Sequence, residues 1–152
     1  MEIERKYLVA SLPEGLECFP RTEIEQSYLC TSPTLRIRRM GDEYILTVKE
    51  KVRTASTAIH NREEEFPLSK ESYLRLRGKC EGRAVVKTRY RIPLEGGLTA
   101  ELDIFHGFHE GLRLVEVEFP DTVTANAFVP PAWFGSDVSL DPHYRNSYLA
   151  FE

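Results

Sequence analysis

The sequence predicts an α+β fold: an eight-stranded antiparallel β-barrel, or tunnel, with a charged interior, flanked by a few helices and closed by a C-terminal helix. Three observations support this prediction. Eight segments alternate apolar and polar residues with the period of two that is typical of strands. Short turns containing glycine join several of these segments, which favours an antiparallel meander. Finally, seven of the segments carry full charges on one face.

The predicted strands follow from this alternation and from the turn residues between them. Gly41-Asp42 separates two strands and Gly96-Gly97 separates another two, as in hairpins. The eight strands are predicted at Glu2 to Val9, Glu23 to Leu29, Thr34 to Met40, Tyr44 to Glu50, Asn61 to Leu68, Ala84 to Pro93, Leu98 to Phe105 and Leu112 to Phe119.

Three helices are predicted from residues that favour helix starts. Ser69 can cap a helix that runs to about Arg77, and Asp121 can cap one that ends before the next pair of prolines. Asp141 and Pro142 are typical of the cap and first turn of a short terminal helix.

Length and composition limit the class of protein. A chain of 152 residues has the size of one ordinary domain, so we expect residues 1–152 to form a single domain. Hydrophobic residues at 41% and charged residues at 29% are typical of a soluble globular protein. No apolar run approaches the ~20 residues that a bilayer requires. Because the acidic residues Glu2 and Glu4 stand where an export signal would be basic, we expect a cytoplasmic location.

Charged and apolar residues fall on opposite faces of the predicted strands, because successive side chains of a strand point to opposite sides. The apolar face includes Tyr7, Leu46, Val86, Leu102 and Val117. The charged face carries Glu2, Glu4 and Lys6; Arg36 and Arg38; Lys49; Glu63 and Glu65; Lys87, Arg89 and Arg91; Glu101 and Asp103; and Glu116 and Glu118.

Exposure to solvent is the simplest explanation for a charged sheet face. Such a face normally mixes neutral polar residues with charged ones, whereas here acidic pairs recur four times as E-x-E or E-x-D. Like charges two residues apart on one face repel unless an opposite charge lies between them. We therefore expect the charged face to line the inside of the barrel, where a ligand separates the charges.

The interior would then hold eight carboxylates and seven cations. Clustered carboxylates are suited to Mg²⁺ or Mn²⁺, while Arg and Lys are suited to phosphate oxygens. A divalent cation and a polyphosphate would neutralise both sets. The same combination stabilises the transition state of phosphoryl transfer.

Seven of these strands each carry a charged sequence motif, and a longer segment follows the last motif. The motifs are EIERK at 2–6, LRIRR at 35–39, LTVKE at 46–50, EEEFPL at 63–68, VVKTRYRIP at 85–93, AELDIF at 100–105 and LVEVEFP at 114–120. The closing segment is WFGSDVSLDPHYRNSYLA at 133–150. In this order they resemble the CYTH superfamily, also called the triphosphate tunnel metalloenzymes, over essentially the whole chain.

The resemblance implies a tunnel that binds a triphosphate together with Mg²⁺ or Mn²⁺. The residues implied to bind substrate are Lys6, Arg36, Arg38, Lys49, Lys87 and Arg89, with Arg91 either at the rim of the site or in a surface ion pair. The residues implied to bind metal are Glu2, Glu4, Glu63, Glu65, Asp103, Glu116 and Glu118, with Glu101 as a further candidate.

Lys6 and Glu4 are the candidate catalytic residues. The proton of the attacking water could pass to Lys6 or be released by metal activation. Surrounding carboxylates favour the charged form of a lysine, so metal activation is preferred.

The substrate implied by the resemblance is inorganic tripolyphosphate, cleaved to pyrophosphate and phosphate, as in the small bacterial members of the family. Class IV adenylyl cyclases and thiamine, nucleoside or RNA triphosphatases share the tunnel and are alternatives. The sequence lacks a clear adenine-binding motif, and it lacks the basic arm or aromatic platform of an RNA-binding protein. We expect no nucleic acid or membrane partner. A non-catalytic polyphosphate-binding or nucleotide-binding module is a further alternative, and a homodimer is left open.

Several residues near these motifs receive other interpretations. Lys51 and Glu64 are assigned to solvent. Trp133 and its neighbour are expected to pack against the terminal helix. If that helix plugs one mouth of the tunnel, Arg145 and Ser147 could contact the substrate.

Overall fold

The computed structural model describes residues 1–151, which form nine strands and three α-helices. The strands are β1 (Glu2–Val9), β2 (Arg21–Thr31), β3 (Thr34–Met40), β4 (Glu43–Lys51), β5 (Ile59–Pro67), β6 (Glu81–Pro93), β7 (Thr99–His106), β8 (Arg113–Glu118) and β9 (Phe134–Asp137). The helices are α1 (Lys70–Arg77), α2 (Thr122–Ala127) and α3 (Asn146–Phe151). Each predicted strand is present, with ends that differ by at most a few residues.

The first eight strands form a closed antiparallel barrel, as predicted. Its strands follow one another in the order β5-β4-β3-β2-β6-β7-β8-β1, and β1 also pairs with β5. The closing seam is short, since only Glu2 to Glu4 of β1 pair with β5. The strand β9, which the sequence did not predict, covers the remaining edge of β1 by pairing with Tyr7 and Val9.

The helices begin close to the predicted caps. Ser69 and Asp121 each accept a hydrogen bond from the backbone N–H three residues further on. Asp141 instead caps a separate 3-10 turn, Pro142–Tyr144, so that α3 begins only at Asn146. None of the helices in residues 1–151 is long and apolar enough to cross a membrane.

The outward face of the barrel is apolar where α2 and β9 cover it. Tyr7 and Phe134 are buried there, with their rings 5.0 Å apart, so Phe134 packs against the barrel. Trp133 packs against the same cluster, whereas the sequence had placed it against the terminal helix. The other buried members of this cluster include Ile92, Leu102, Val115, Val117, Phe119 and Ala125.

At one end of the tunnel the inward face changes from charged to apolar. Tyr28, Val85, Phe105 and Leu114 are buried there and pack against Leu149 and Ala150 of α3. Gly82 lies against the same helix, where an added Cβ would be 2.5 Å from the carbonyl oxygen of Ala150. The C-terminal helix therefore closes this end of the tunnel, as predicted.

Candidate active site

The barrel encloses a cavity of about 1230 Å³ on its charged face. All of the predicted site residues line this cavity except Lys87 and Asp103, which are buried on the same face, where Asp103 contacts Lys87 and Arg89. The alternation of each strand aims these side chains inward, and the antiparallel register brings charges from neighbouring strands together. Glu4 lies beside Glu118, for example, and Lys6 beside Glu116.

Glu4 and Glu118 form no ion pair within residues 1–151. Burial, together with the negative charge of Glu116, raises the pKa of Glu4 to about 8. Burial and the nearby carboxylates, Glu2 first, also raise the pKa of Glu118. Because the charged forms of both side chains are disfavoured, a cation placed between them would be stabilised.

Lys49 forms ion pairs with two further carboxylates, Glu2 and Glu63. Its Nζ lies 2.8 Å from Glu2 and 3.5 Å from Glu63. Burial lowers the pKa of Lys49, but the carboxylates of Glu4 and Glu2 outweigh it and raise this pKa above its usual value. Lys49 therefore stays charged, and it partly neutralises the acidic group.

Lys6 is held in place by the segment that leads to α3. Its Nζ donates to the carbonyl oxygen of Tyr144 (2.9 Å) and lies 3.3 Å from Glu116. Its backbone N–H donates to Ser139 Oγ (2.9 Å). Burial alone would raise the pKa of Glu116, but the positive charges of Lys6 and Arg89 hold it well below its usual value.

Two arginines on β3 provide positive charge that the protein does not fully neutralise. Arg36 is buried, has no ion-pair partner within residues 1–151, and leaves its Nε without a hydrogen bond. Arg38 lies 3.2 Å from Glu65, but its Nε is also without a partner. Burial and the charges of Arg36 and Arg89 lower the pKa of Arg38 to about 10. An anion bound here would satisfy the free donors and relieve this repulsion.

A third basic group lies on β6. Arg89 makes a two-pronged contact with Asp103, at 2.7 and 2.9 Å, and also lies 3.3 Å from Glu101. Lys87 is fully buried, 2.7 Å from Asp103, and burial lowers its pKa to about 8. Arg91 is more exposed and lies 4.0 Å from Glu101, at the rim of the cavity.

Some residues of the cavity wall were not assigned to the site from the sequence. Lys51 was assigned to solvent and is indeed exposed, but it also lines the cavity. The alternation that placed Lys49 inward was a signal for this position. Asn61 and Asn146 also line the wall. The alternation of Glu63 and Glu65 was a signal for Asn61, which lies on the same face of β5. No alternation marks Asn146, because its position depends on α3.

The wall fits a divalent cation by its charges more than by a preformed ligand shell. No group of three or more His, Cys, Asp or Glu side chains in residues 1–151 is arranged to hold a metal ion. Glu4, which is buried, and Glu118, which is exposed, nevertheless form no ion pair in the described residues and provide hard oxygen ligands on one wall of the cavity. They are therefore the best candidates for metal binding.

Similarity to known proteins extends over nearly the whole chain. A family model described as the CYTH domain matches residues 1–125. An inorganic triphosphatase of Nitrosomonas europaea is 42% identical over 154 residues, covering 98% of this chain and 96% of that protein. An inorganic triphosphatase of Acetivibrio thermocellus is 34% identical over 157 residues, covering 97% and 92%. A crystal structure of an inorganic triphosphatase has a TM-score of 0.73 at 39% identity, covering 100% of this chain and 95% of that chain.

Proposed function

The chain belongs to the CYTH domain family, and from this membership we propose that it hydrolyses linear triphosphates, with inorganic tripolyphosphate as its preferred substrate. The observation that carries the proposal is the separation of unsatisfied charges inside one cavity. Within residues 1–151, Glu4, Glu118 and Arg36 form no ion pair, and the Nε of Arg36 has no hydrogen-bond partner. A triphosphate and a divalent cation would supply both missing charges.

The reaction we propose cleaves the terminal phosphoanhydride bond. The oxygen of a water molecule bonds to the terminal phosphorus and the bridging P–O bond breaks, so that phosphate and pyrophosphate are formed. A proton of the water passes to solvent, and the electron pair of the broken bond stays on the pyrophosphate oxygen. Arg36 and Arg38 of β3 and Arg89 of β6 bind phosphate oxygens and orient the triphosphate. Their fixed positive charges stabilise the transition state, since little solvent needs to reorganise in a buried site.

We propose Mg²⁺ or Mn²⁺ as the cofactor, held by Glu4 and Glu118. The other carboxylates that line the cavity are Glu2, Glu63, Glu65, Glu101 and Glu116. When bound, the ion would neutralise phosphate charge and lower the pKa of a water molecule. Lys6 already donates to an acceptor and lies beside Glu116, so we assign it to phosphate binding and not to proton removal. The cytoplasmic location stays a prediction from the sequence, and the homodimer stays open.

The test is phosphate release from a panel of substrates. The protein is assayed with Mg²⁺ or Mn²⁺ on tripolyphosphate, ATP, thiamine triphosphate and pyrophosphate, with EDTA as the control. We expect the highest kcat/KM on tripolyphosphate and no release in EDTA. A higher kcat/KM on an organic triphosphate would change the substrate. Binding without release from any of them would indicate a non-catalytic binding module and refute the enzymatic proposal.

A further inference from the structure

The two acidic residues of β7 have different surroundings, although the sequence pattern gives them the same role. The side chain of Glu101 is 27% exposed and lines the cavity. Asp103 is 1% exposed and lies outside the lining of the cavity. A side chain that binds a metal ion together with a triphosphate has to be accessible from the cavity. Glu101 is open to such an ion, and Asp103 is not.

The oxygen atoms of Asp103 already have strong donors. Arg89 Nε donates to Oδ1 at 2.7 Å, and Arg89 Nη2 donates to Oδ2 at 2.9 Å. Lys87 Nζ lies 2.7 Å from Oδ2. Such short, charge-assisted contacts in a buried place are strong, and breaking one would leave a buried cation without its partner. The carboxylate is therefore occupied by two cations of β6.

These contacts fix the direction of the Arg89 side chain. Asp103 occupies Nε and Nη2 of the guanidinium, and the remaining Nη1 lies 3.3 Å from Glu101 on the cavity wall. Lys87 also donates to Asn146 Oδ1 of α3 at 3.3 Å, which connects the same group to the helix that closes the tunnel. Removing the Asp103 charge would release Arg89 without removing any group from the wall.

We infer that Asp103 is a positioning residue, which orients Arg89 toward the bound triphosphate, and not a ligand of the metal ion as its motif implies. This inference rests on the proposed function, since it concerns the same site. Among the inward carboxylates, Asp103 would then support Arg89, whereas the others face the ligand.

The test compares Asp103→Asn with Glu118→Gln, a matched loss of charge at a proposed metal ligand. The dissociation constant of Mn²⁺ is measured calorimetrically without substrate, and KM and kcat are then measured with tripolyphosphate. We expect Asp103→Asn to keep Mn²⁺ affinity within about twofold of wild type and to raise KM by about tenfold or more. Glu118→Gln should weaken Mn²⁺ binding by about tenfold or more.

A double variant checks that Asp103 acts through Arg89. In an Arg89→Ala background, Asp103→Asn should raise KM little further, because residues that act through one another are not additive. If the two increases in KM multiply, or if Asp103→Asn weakens Mn²⁺ binding as much as Glu118→Gln does, the inference is wrong. Should Asp103→Asn fail to fold, Asp103→Glu keeps the charge but displaces it, and the same two outcomes decide. Failure of the wild type to cleave tripolyphosphate would refute the proposed function, while the Mn²⁺ comparison would still show whether Asp103 binds metal.

Discussion

Glu4 lies in a position where its own charge is disfavoured in the folded protein. Burial and the carboxylate of Glu116 raise its pKa to about 8, whereas the reference value is 4.5. Between these two pH values, the folded state holds a proton that the unfolded state has released. The free energy of unfolding therefore decreases as the pH rises from 4.5 to about 8.

The first prediction concerns this pH dependence in metal-free protein. In EDTA, the melting temperature should fall between about pH 5 and pH 8, because Glu4 holds its proton in that interval only in the folded state. Glu4→Gln, which cannot ionise, should flatten this fall. Thermal denaturation followed by circular dichroism at several pH values provides the measurement. Equal slopes for the variant and the wild type would show that Glu4 is not the titrating group.

At the scale of elements, β1 combines the candidate site with the outer packing of the barrel. Glu4 and Lys6 point into the tunnel, and Arg5 between them points outward. Arg5 lies 2.9 Å from Asp137 of β9 and donates to the carbonyl oxygen of Ala125 in α2 (2.8 Å). Arg5 on the outer face of β1 therefore holds β9 and α2 against the barrel.

The second prediction separates the two faces of β1. Arg5→Met should destabilise the protein by about 1–3 kcal/mol, because Asp137 and a backbone carbonyl lose their donor. The KM for tripolyphosphate should stay the same, since the side chain does not reach the cavity. Urea denaturation and steady-state kinetics provide the two measurements. A change in KM comparable with that of Lys6→Met would contradict the assignment of faces.

The third prediction concerns the contact between α3 and β6. Gly82 and Gly107 have nearly the same left-handed backbone, with φ of 69° and 68°, but only Gly82 lies against another element. Gly82→Ala should therefore lower the melting temperature clearly more than Gly107→Ala, by about 2–4 °C for each additional kcal/mol. Equal losses for both variants, measured by differential scanning calorimetry, would mean that α3 does not pack closely on Gly82.

The period of two in the sequence was enough to place eight strands and to assign their faces. It could not show β9, because this strand has only four residues, one of them Gly135, and is defined by its pairing with the edge of β1 that β5 leaves free. Alternation also gives the face of a side chain but not its depth. Asp103 and Lys51 share the inward face, yet Asp103 is buried outside the cavity lining, whereas Lys51 is exposed and lines the cavity.

At the scale of the whole molecule, a net charge of −4 conceals a strong local separation of charge. Acidic groups concentrate where β1 meets β8, and unpaired basic groups lie on β3. Like charges within each group repel one another when no ligand is bound, and this repulsion destabilises the folded state. Bound ligands of opposite charge would remove it.

The fourth prediction follows from this separation. A divalent cation together with an imido analogue of triphosphate, which resists hydrolysis, should raise the melting temperature more than the sum of the two ligands added singly. Ligand at about one hundred times its dissociation constant stabilises the folded state by about 2.7 kcal/mol. Differential scanning fluorimetry provides the measurement, and Glu4→Gln should lose the response to the cation. No response to either ligand would contradict the candidate site.

The short seam of the barrel has a consequence for how the protein is made. The strand β1 is synthesised first, yet its partners β8 and β9 come late, and the ion pair from Arg5 to Asp137 spans 132 positions. Contacts so distant along the chain form slowly, and domains on the ribosome emerge from the N-terminus. Only Glu2 to Glu4 can pair earlier, with β5, so we expect the rest of β1 to stay unpaired until β8 and β9 have been made. Charged side chains discourage the association of unpaired strands, so Glu2, Glu4 and Lys6 would keep the nascent strand from aggregating before they line a tunnel.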